Sequence, residues 1–318
     1  MITVLITVLD RVEELIAKPV TLVALLTGTA LVLVLAGCSG AATAQKDDGL
    51  IRVVASTNVY GDIAKTIGGD RVAVTSIISD PSQDPHSYEA NAQMQLALSL
   101  ADVVIQNGGG YDAFVGTLLR GAKNPKVVVL DAVAISGYDQ RPATGDFNEH
   151  MWYDVPTVRR VAARIAKQFS ALEPSGAPAF TTNTARFTAE LDVLQASETK
   201  IKATAVGSGA AITESVPLYL LDAVGLVNKT PEKFSAAIEA GTEVSPVALQ
   251  QTLALFSGRA VKLLAYNEQT TSPETVRVRA AARKAGIAVV QVRETLPRGK
   301  NYVAWMTDTL ASIARALR

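Results

Sequence analysis

Cysteine and histidine are among the scarcest residues of this chain. Its 318 residues include one cysteine, Cys38, and two histidines, His86 and His150. A single cysteine excludes an intrachain disulfide framework and a metal cluster built from thiolates. The sequence also lacks a strong basic run, and 30 basic side chains balance 30 acidic ones. This charge balance argues against a nucleic acid as the partner.

The lone cysteine follows a long uncharged segment. No charged residue occurs from Pro19 to Gly37, and Lys18 stands just before this segment. An apolar core closed by small residues is typical of a secretory signal. The ending Leu35-Ala36-Gly37-Cys38 resembles a bacterial lipobox. That resemblance implies a signal peptide over residues 1–37, cleavage before Cys38 and a lipid on its sulfur. The alternative is a transmembrane helix with a buried free cysteine.

The first residues are unusual for the start of a signal peptide. Asp10, Glu13 and Glu14 lie in a region that is normally free of acidic side chains. This favours a translation start further downstream. After Cys38, residues 39–49 are small and polar and predict a flexible tether between the lipid and the folded part.

Length and hydrophobic patterning predict two α/β lobes. A chain of 318 residues exceeds the usual size of one domain, and 48% of its residues are apolar. β-Branched runs such as Leu50–Ser56 and Val72–Ile78 alternate with helical segments, and the alternation restarts at Ala210. This order is typical of a parallel sheet covered by helices on both faces. We predict lobes over residues 50–175 and 206–318, joined by one helix over 176–205.

The joining helix is the longest predicted element. From Pro178 to Ala205, apolar or small side chains recur every three, four or seven residues, which is the spacing of one helical face. They are Phe180, Thr184, Phe187, Leu191, Leu194 and Ile201. At 1.5 Å per residue this helix spans ~40 Å, about the width of a small domain.

Both histidines lie in polar segments that follow strand-like runs. In parallel sheets, ligands bind beyond the carboxyl ends of the strands. His86 follows Val72–Ile78, and His150 follows the last predicted strand of the first lobe. Glu214 follows a strand of the second lobe, as do Asn267, Glu268 and Gln269. The histidines are either two unrelated loop residues or parts of one metal site. Imidazole suits zinc, and a carboxylate extends the range to manganese.

Several motifs together resemble a known family. They are Asp84-Pro85-His86-Ser87-Tyr88-Glu89, Glu149-His150-Met151-Trp152-Tyr153-Asp154, Thr213-Glu214-Ser215-Val216-Pro217, the opening Val53-Val54-Ala55-Ser56-Thr57 and the closing Glu294-Thr295-Leu296-Pro297 with Trp305-Met306. In this order, across one long helix and behind a lipobox, they resemble the metal-binding substrate-binding proteins of bacterial zinc and manganese ABC importers. The resemblance covers residues 50–318.

The resemblance implies a fold, a site and a function. The fold is two α/β lobes on a rigid helix, with the metal between the lobes. His86, His150 and Glu214 match three ligands. The fourth ligand of the family is usually an aspartate in the loop after a late strand, but Asn267–Thr271 contains none. Glu268, Gln269 or water can take that place, and Gln269 is the candidate that we name.

The implied function is metal import rather than catalysis. The protein is expected to be a monomer, anchored by its lipid to the outer face of the cytoplasmic membrane. There it passes zinc or manganese to a permease driven by an ATPase. Two alternatives stay open. One is a zinc hydrolase, although the sequence lacks His-Glu-x-x-His and a nucleophile elbow. The other is an adhesin-like surface lipoprotein.

Other side chains have simpler expected roles. Asp154 is expected to cap a helix rather than bind metal. Trp152 and Tyr153 are expected to pack between the lobes or to form a wall of the site. Tyr88 and Glu89 are candidates for orienting His86. Glu239 and Glu243 are expected to be solvated.

Overall fold

A computed structural model describes residues 49–83, 88, 91–143 and 145–318. This part of the chain forms one compact unit. It contains two four-stranded parallel sheets, which confirms the predicted α/β class with a long joining helix. Lobe boundaries at residues 175 and 206 stay a prediction of the sequence.

The first sheet has the strand order β2-β1-β3-β4. All neighbouring strands are parallel, with Val53 opposite Val74 on one side and Val103 on the other. These strands are β-branched and mostly buried, as expected for a sheet covered on both faces. Their bounds are β1 Ile51–Thr57, β2 Val72–Ile78, β3 Val103–Gln106 and β4 Val128–Asp131.

Five helices accompany the first sheet. They are α1 Asn58–Gly68, α2 Ala92–Ser99, α3 Ala113–Ala122, α4 Ala132–Ser136 and α5 Val155–Leu172. Asp154 caps α5, accepting a hydrogen bond from the Thr157 backbone at 3.0 Å, which confirms its predicted role. Helix α4 was not predicted, because one and a half turns leave no clear helical period. His150 therefore follows a strand and a short helix.

Helix α6, Ala177–Ala205, is the longest element described, and its 29 residues span roughly 43 Å. Its buried side chains include five of the six predicted positions; Thr184 is half-buried. Glu198 is also buried on this helix, which the apolar pattern does not indicate.

The second sheet repeats the topology of the first, in the order β6-β5-β7-β8. Its strands are β5 Gly209–Ile212, β6 Val227–Asn228, β7 Leu263–Asn267 and β8 Ala288–Val292. Its helices are α7 Leu218–Ala223, α8 Glu232–Glu239, α9 Pro246–Ser257, α10 Pro273–Lys284 and α11 Tyr302–Ala316. The sequence did not predict β6, which has only two residues, or α8.

In both sheets the order of strand addition reverses beside the first strand, while all strands stay parallel. In the second lobe, β5 is followed by a connection to β6 on one side, while β7 and β8 lie on the other. Ligands of open parallel sheets bind at such a point, beyond the carboxyl ends of the strands. Glu214 lies there, two residues after β5.

The two lobes are packed together through hydrogen bonds as well as apolar contacts. Asn58 of the first lobe exchanges two hydrogen bonds with the Leu296 backbone, at 2.8 and 3.2 Å. The Tyr153 hydroxyl donates to the Arg293 carbonyl at 3.0 Å and accepts from its amide at 3.1 Å. Tyr153 is fully buried, so it packs between the lobes as expected.

Across residues 49–83, 88, 91–143 and 145–318, no helix combines the length and the apolar character that crossing a membrane needs.

Candidate metal centre

His150 lies buried where the two lobes meet. Its ring stands edge-on to the rings of Trp152 and Tyr111, at centroid distances of 5.2 and 5.9 Å. On the other side, its Nδ1 lies 2.7 Å from Asn148 Oδ1 and 3.3 Å from Ser215 Oγ. Ser215 belongs to the second lobe, so the imidazole contacts both lobes.

Glu214, one residue before Ser215, is almost completely buried. The Thr270 hydroxyl donates to its Oε2, while Oε1 is buried without a hydrogen bond among the described residues. Burial, followed by the charge of the neighbouring Glu294 carboxylate, raises the pKa of Glu214 to about 8. Hydrogen bonds from Thr270 and Asn267 lower this pKa, but their effect is smaller. No cationic side chain is among the causes of this shift, so the carboxylate lies in a site that favours an added positive charge.

Glu294 is a second buried carboxylate at this place. It follows β8, and Asn267 Nδ2 donates to its Oε1 at 2.8 Å. Burial and then the Glu294 charge raise the pKa of Tyr111 of the first lobe, so its hydroxyl lies near the same side chain. Tyr111 thus links Glu294 to His150, since its ring contacts the imidazole. We call His150, Glu214 and Glu294 the inter-lobe site.

The two candidates proposed for the fourth ligand are engaged elsewhere. Gln269 donates from Nε2 to the Gln83 carbonyl at 2.9 Å and to Thr295 Oγ1 at 3.1 Å. Its Oε1 accepts from the Glu294 amide at 2.7 Å. Glu268 accepts from Gln291 at 2.6 Å and pairs with Arg293 at 3.0 Å. The amide of Gln269 therefore joins the lobes, and the carboxylate of Glu268 pairs with side chains on and beside β8.

Two further carboxylates lie beside His150. One ligand atom from each of Glu149, His150 and Glu239 lies within 4.8 Å of the others. Glu239 accepts from the Ser215 backbone at 3.2 Å and from its hydroxyl at 2.9 Å. Glu239 is half-buried rather than fully solvated, because the unpredicted helix α8 brings its last residue to this place. Glu243 is exposed, as expected.

Glu149 and Glu239 also border a cavity of about 610 Å³ between the lobes. The described residues of its wall include no lysine or arginine but four carboxylate side chains: Asp146, Glu149, Glu232 and Glu239. A wall of one charge attracts ions of the opposite charge. The cavity therefore favours the presence of cations beside Glu149 and Glu239.

A glycine loop lets the segment of His150 come close. Gly108, Gly109 and Gly110 follow β3, and all three have positive φ. A Cβ on Gly109 would lie 2.9 Å from the Phe147 ring and 3.2 Å from Glu149 Cβ. Only glycine combines this backbone conformation with so close an approach.

Some predicted residues fall outside the described part of the chain. They are His86, Glu89 and Cys38, so the pairing of the two histidines, the role of Glu89 and the lipid stay predictions. Tyr88 is described: its hydroxyl accepts from Asn91 at 3.3 Å, and its ring lies 4.7 Å from Phe114.

Sequence reasoning missed three residues of this region. Glu294 could have been predicted, because it follows a strand at the carboxyl edge of the sheet. The sequence analysis used it only as part of a motif that resembles the family. Asn148 and Glu239 carried no such signal, since their contacts with Ser215 join residues 67 and 24 positions apart and depend on tertiary packing.

Fold and site together define a two-lobed binding protein with a buried polar site between its lobes. The sequence matches the family described as zinc-uptake complex component A, periplasmic, over residues 53–316. The chain belongs to that family.

Two curated relatives are named as transport lipoproteins. The iron ABC transporter substrate-binding lipoprotein MtsA of Streptococcus pyogenes serotype M1 is 26% identical over 240 residues, covering 69% of this chain and 77% of MtsA. The manganese ABC transporter substrate-binding lipoprotein PsaA of Streptococcus mitis is 30% identical over 175 residues, covering 51% of this chain and 55% of PsaA.

Solved structures share the fold. A mutant of the laminin-binding adhesin Lmb from Streptococcus agalactiae has a TM-score of 0.71 at 22% identity, over 84% of this chain and all of the adhesin chain. The crystal structure of ZnuA has a TM-score of 0.68 at 22% identity, over 85% of this chain and all of that chain. At this identity the likeness concerns the fold alone.

Proposed function

We propose that this protein captures a divalent transition metal outside the cytoplasmic membrane and delivers it to an ABC import permease. His86, His150, Glu214 and Glu294 are the proposed ligands. Glu294 takes the fourth place, for which the sequence offered Gln269, because its carboxylate is buried beside Glu214 while the Gln269 amide joins the lobes. Zinc is the proposed cargo and manganese the alternative.

Two buried carboxylates that interact with each other carry this proposal, together with a buried imidazole that Tyr111 links to one of them. Two carboxylates that share a dry site repel each other, and burying their charge is costly without a cation. Among the described residues, no basic side chain is a cause of the Glu214 shift. A divalent ion would balance both carboxylates, and the imidazole would supply a nitrogen ligand.

The choice of zinc depends on ligand chemistry. Neutral imidazole suits zinc, and two histidines would give two such ligands, whereas carboxylate oxygens also suit manganese. Zinc outranks manganese at most sites of this kind, so tighter zinc binding by the purified protein does not identify the cargo. Metal accumulation by cells with and without the gene, in chelated medium supplemented with one metal at a time, identifies it.

The membrane anchor and partners extend the proposal. MtsA and PsaA are named as lipoproteins of ABC transporters. We place the lipid on Cys38 and the protein, as a monomer, on the outer face of the cytoplasmic membrane. A permease and its ATPase would receive the metal there.

Thermal unfolding of the metal-free full chain tests the function. A metal that binds only the folded form stabilises it by ~4 kcal/mol at a thousandfold excess over the dissociation constant. We expect zinc to raise the unfolding midpoint of the wild type but not that of a variant with His86→Ala and His150→Ala. Glu243→Gln is the matched control, because Glu243 is an exposed carboxylate of the second lobe. No shift with zinc or manganese in the wild type would refute the function.

A further inference from the structure

The orientation of the His150 ring depends on Asn148, two residues before it. Asn148 Oδ1 lies 2.7 Å from His150 Nδ1 and also accepts from the His150 backbone amide at 3.2 Å. At its other end, Asn148 Nδ2 donates to the Ser215 carbonyl at 3.3 Å. Contacts at both ends fix the amide, with its oxygen towards the ring.

These contacts decide which ring nitrogen carries the proton. An amide oxygen accepts hydrogen bonds and cannot donate, so Nδ1 of His150 must be the donor. Because neutral imidazole has one N–H, Nε2 then carries the lone pair. A metal-binding histidine needs this arrangement when the metal lies on the Nε2 side.

The second lobe provides the same constraint independently. Ser215 Oγ lies 3.3 Å from His150 Nδ1, and its single proton is donated to Glu239 Oε1 at 2.9 Å. The hydroxyl can therefore only accept from the ring. Glu239 thus acts on His150 through Ser215.

We propose that Asn148 is a positioning residue that holds His150 as the Nδ1–H tautomer, with Nε2 turned to the metal, when the lobes are closed. This inference rests on the proposed function for the metal. Closure matters because two groups of the second lobe contact Asn148. The Ser215 carbonyl accepts from its side-chain amide, and the Tyr219 hydroxyl donates to its backbone carbonyl at 2.7 Å. With the lobes apart, the amide loses these contacts, and His150 is held less firmly for the metal.

Two variants separate the two ends of the Asn148 side chain. Asn148→Leu keeps the approximate size and removes both ends. Asn148→Asp keeps an acceptor for Nδ1 but loses the donor to Ser215. Ser215→Ala removes the longer contact to the ring and the hydrogen bond of the hydroxyl to Glu239. Because loss of a hydrogen-bond partner of a metal-binding histidine typically costs about 10- to 100-fold in affinity, we expect this loss for Asn148→Leu. Asn148→Asp and Ser215→Ala should each lose less.

Nitrogen NMR of the histidine rings reads the tautomer directly and needs no metal. The full chain, labelled with ¹⁵N-histidine and kept in a mild detergent, contains only two histidines. In the metal-free wild type we expect Nδ1 of His150 to be the protonated nitrogen. The same should hold in Asn148→Asp, whereas Asn148→Leu should shift the proton towards Nε2. His150→Ala assigns the signals, and Asn148→Ala replaces Asn148→Leu if leucine prevents folding.

The outcomes separate this inference from the function. A proton on Nε2 in the wild type, or an unchanged tautomer and zinc affinity in Asn148→Leu, overturns the role of Asn148. The role is also overturned if Asn148→Asp and Asn148→Leu lose the same zinc affinity and both keep the wild-type tautomer. Asn148 would then only connect the lobes. A tautomer that depends on Asn148 in a protein that binds neither zinc nor manganese would instead refute the function.

Discussion

Glu214 and Glu294 lie so close together, in a buried place, that the charge of Glu294 helps to raise the pKa of Glu214 to about 8. They arrive there from two strands of one sheet, β5 and β8, whose carboxyl ends lie on the same edge. Such a pair favours a proton or a cation between them. The inter-lobe site is therefore prepared for a positive ion.

Glu294→Gln tests the fourth ligand against Gln269→Ala. Loss of an indirect partner of a ligand costs about 10- to 100-fold in metal affinity, so loss of a direct carboxylate ligand should cost at least as much. Gln269→Ala removes hydrogen bonds between the lobes, each worth about 1 kcal/mol, and should weaken zinc binding less. Competition with a fluorescent zinc chelator measures both variants. Glu243→Gln should bind as the wild type does, and a Glu294→Gln variant with wild-type affinity would exclude Glu294 as a ligand.

Zinc affinity should fall as the pH is lowered. Zinc binds the deprotonated ligands, so below about pH 8 it must displace the proton of Glu214. At lower pH, protons that the imidazoles take up compete with zinc as well. Each protonated ligand lowers the affinity by up to about tenfold per pH unit below its pKa. Chelator competition between pH 8 and 5.5 measures the slope, and Glu214→Gln should flatten it between pH 8 and 7. An affinity that does not change from pH 7.5 to 5.5 would contradict the ligand set.

Glu198 should make the stability depend on pH. Burial, and then the Asp154 charge, raise the pKa of Glu198 from 4.5 to about 7. The folded state therefore binds this proton more tightly than the unfolded state, and the cost of the buried charge is absent below pH 4.5 and complete above pH 7. Glu198→Gln should raise the free energy of unfolding at pH 8 by on the order of 2 kcal/mol, with little change at pH 4.5.

Urea unfolding at both pH values measures this effect. Glu190→Gln is the matched control, because Glu190 is exposed on the same helix α6. Equal gains for Glu198→Gln at pH 8 and pH 4.5 would show that packing, rather than charge, explains the change.

Cys38→Ser should abolish lipidation. Cys38 is the only cysteine of the chain, so labelling with an alkyne-tagged fatty acid has one possible thiol target. We expect a labelled protein in the membrane fraction for the wild type and an unlabelled one for Cys38→Ser. Label that persists in the variant would place the lipid elsewhere.

The fold could be predicted from local patterns. Leu50–Ser56 and Val72–Ile78 are runs of β-branched residues, and the strands found there differ from them by one residue at most. Cap residues such as Asp154 fix helix starts through contacts three residues along the chain. Short elements were missed because β6 and α4 are too short to show a period.

The sequence by itself determined the α/β class, the long joining helix and the family, because these depend on periodicity and on motifs that are local in the chain. It also placed Glu214 at a strand end, whereas His150 lies beyond the unpredicted helix α4. Only the tertiary structure placed Glu294 beside Glu214 and turned Gln269 to the lobe contact, although both follow strands of one sheet. The same packing placed Asn148 and Glu239 around His150 and Ser215. The reason is that, apart from the local contact of Asn148 with His150, these contacts join residues at least 24 positions apart and depend on tertiary packing.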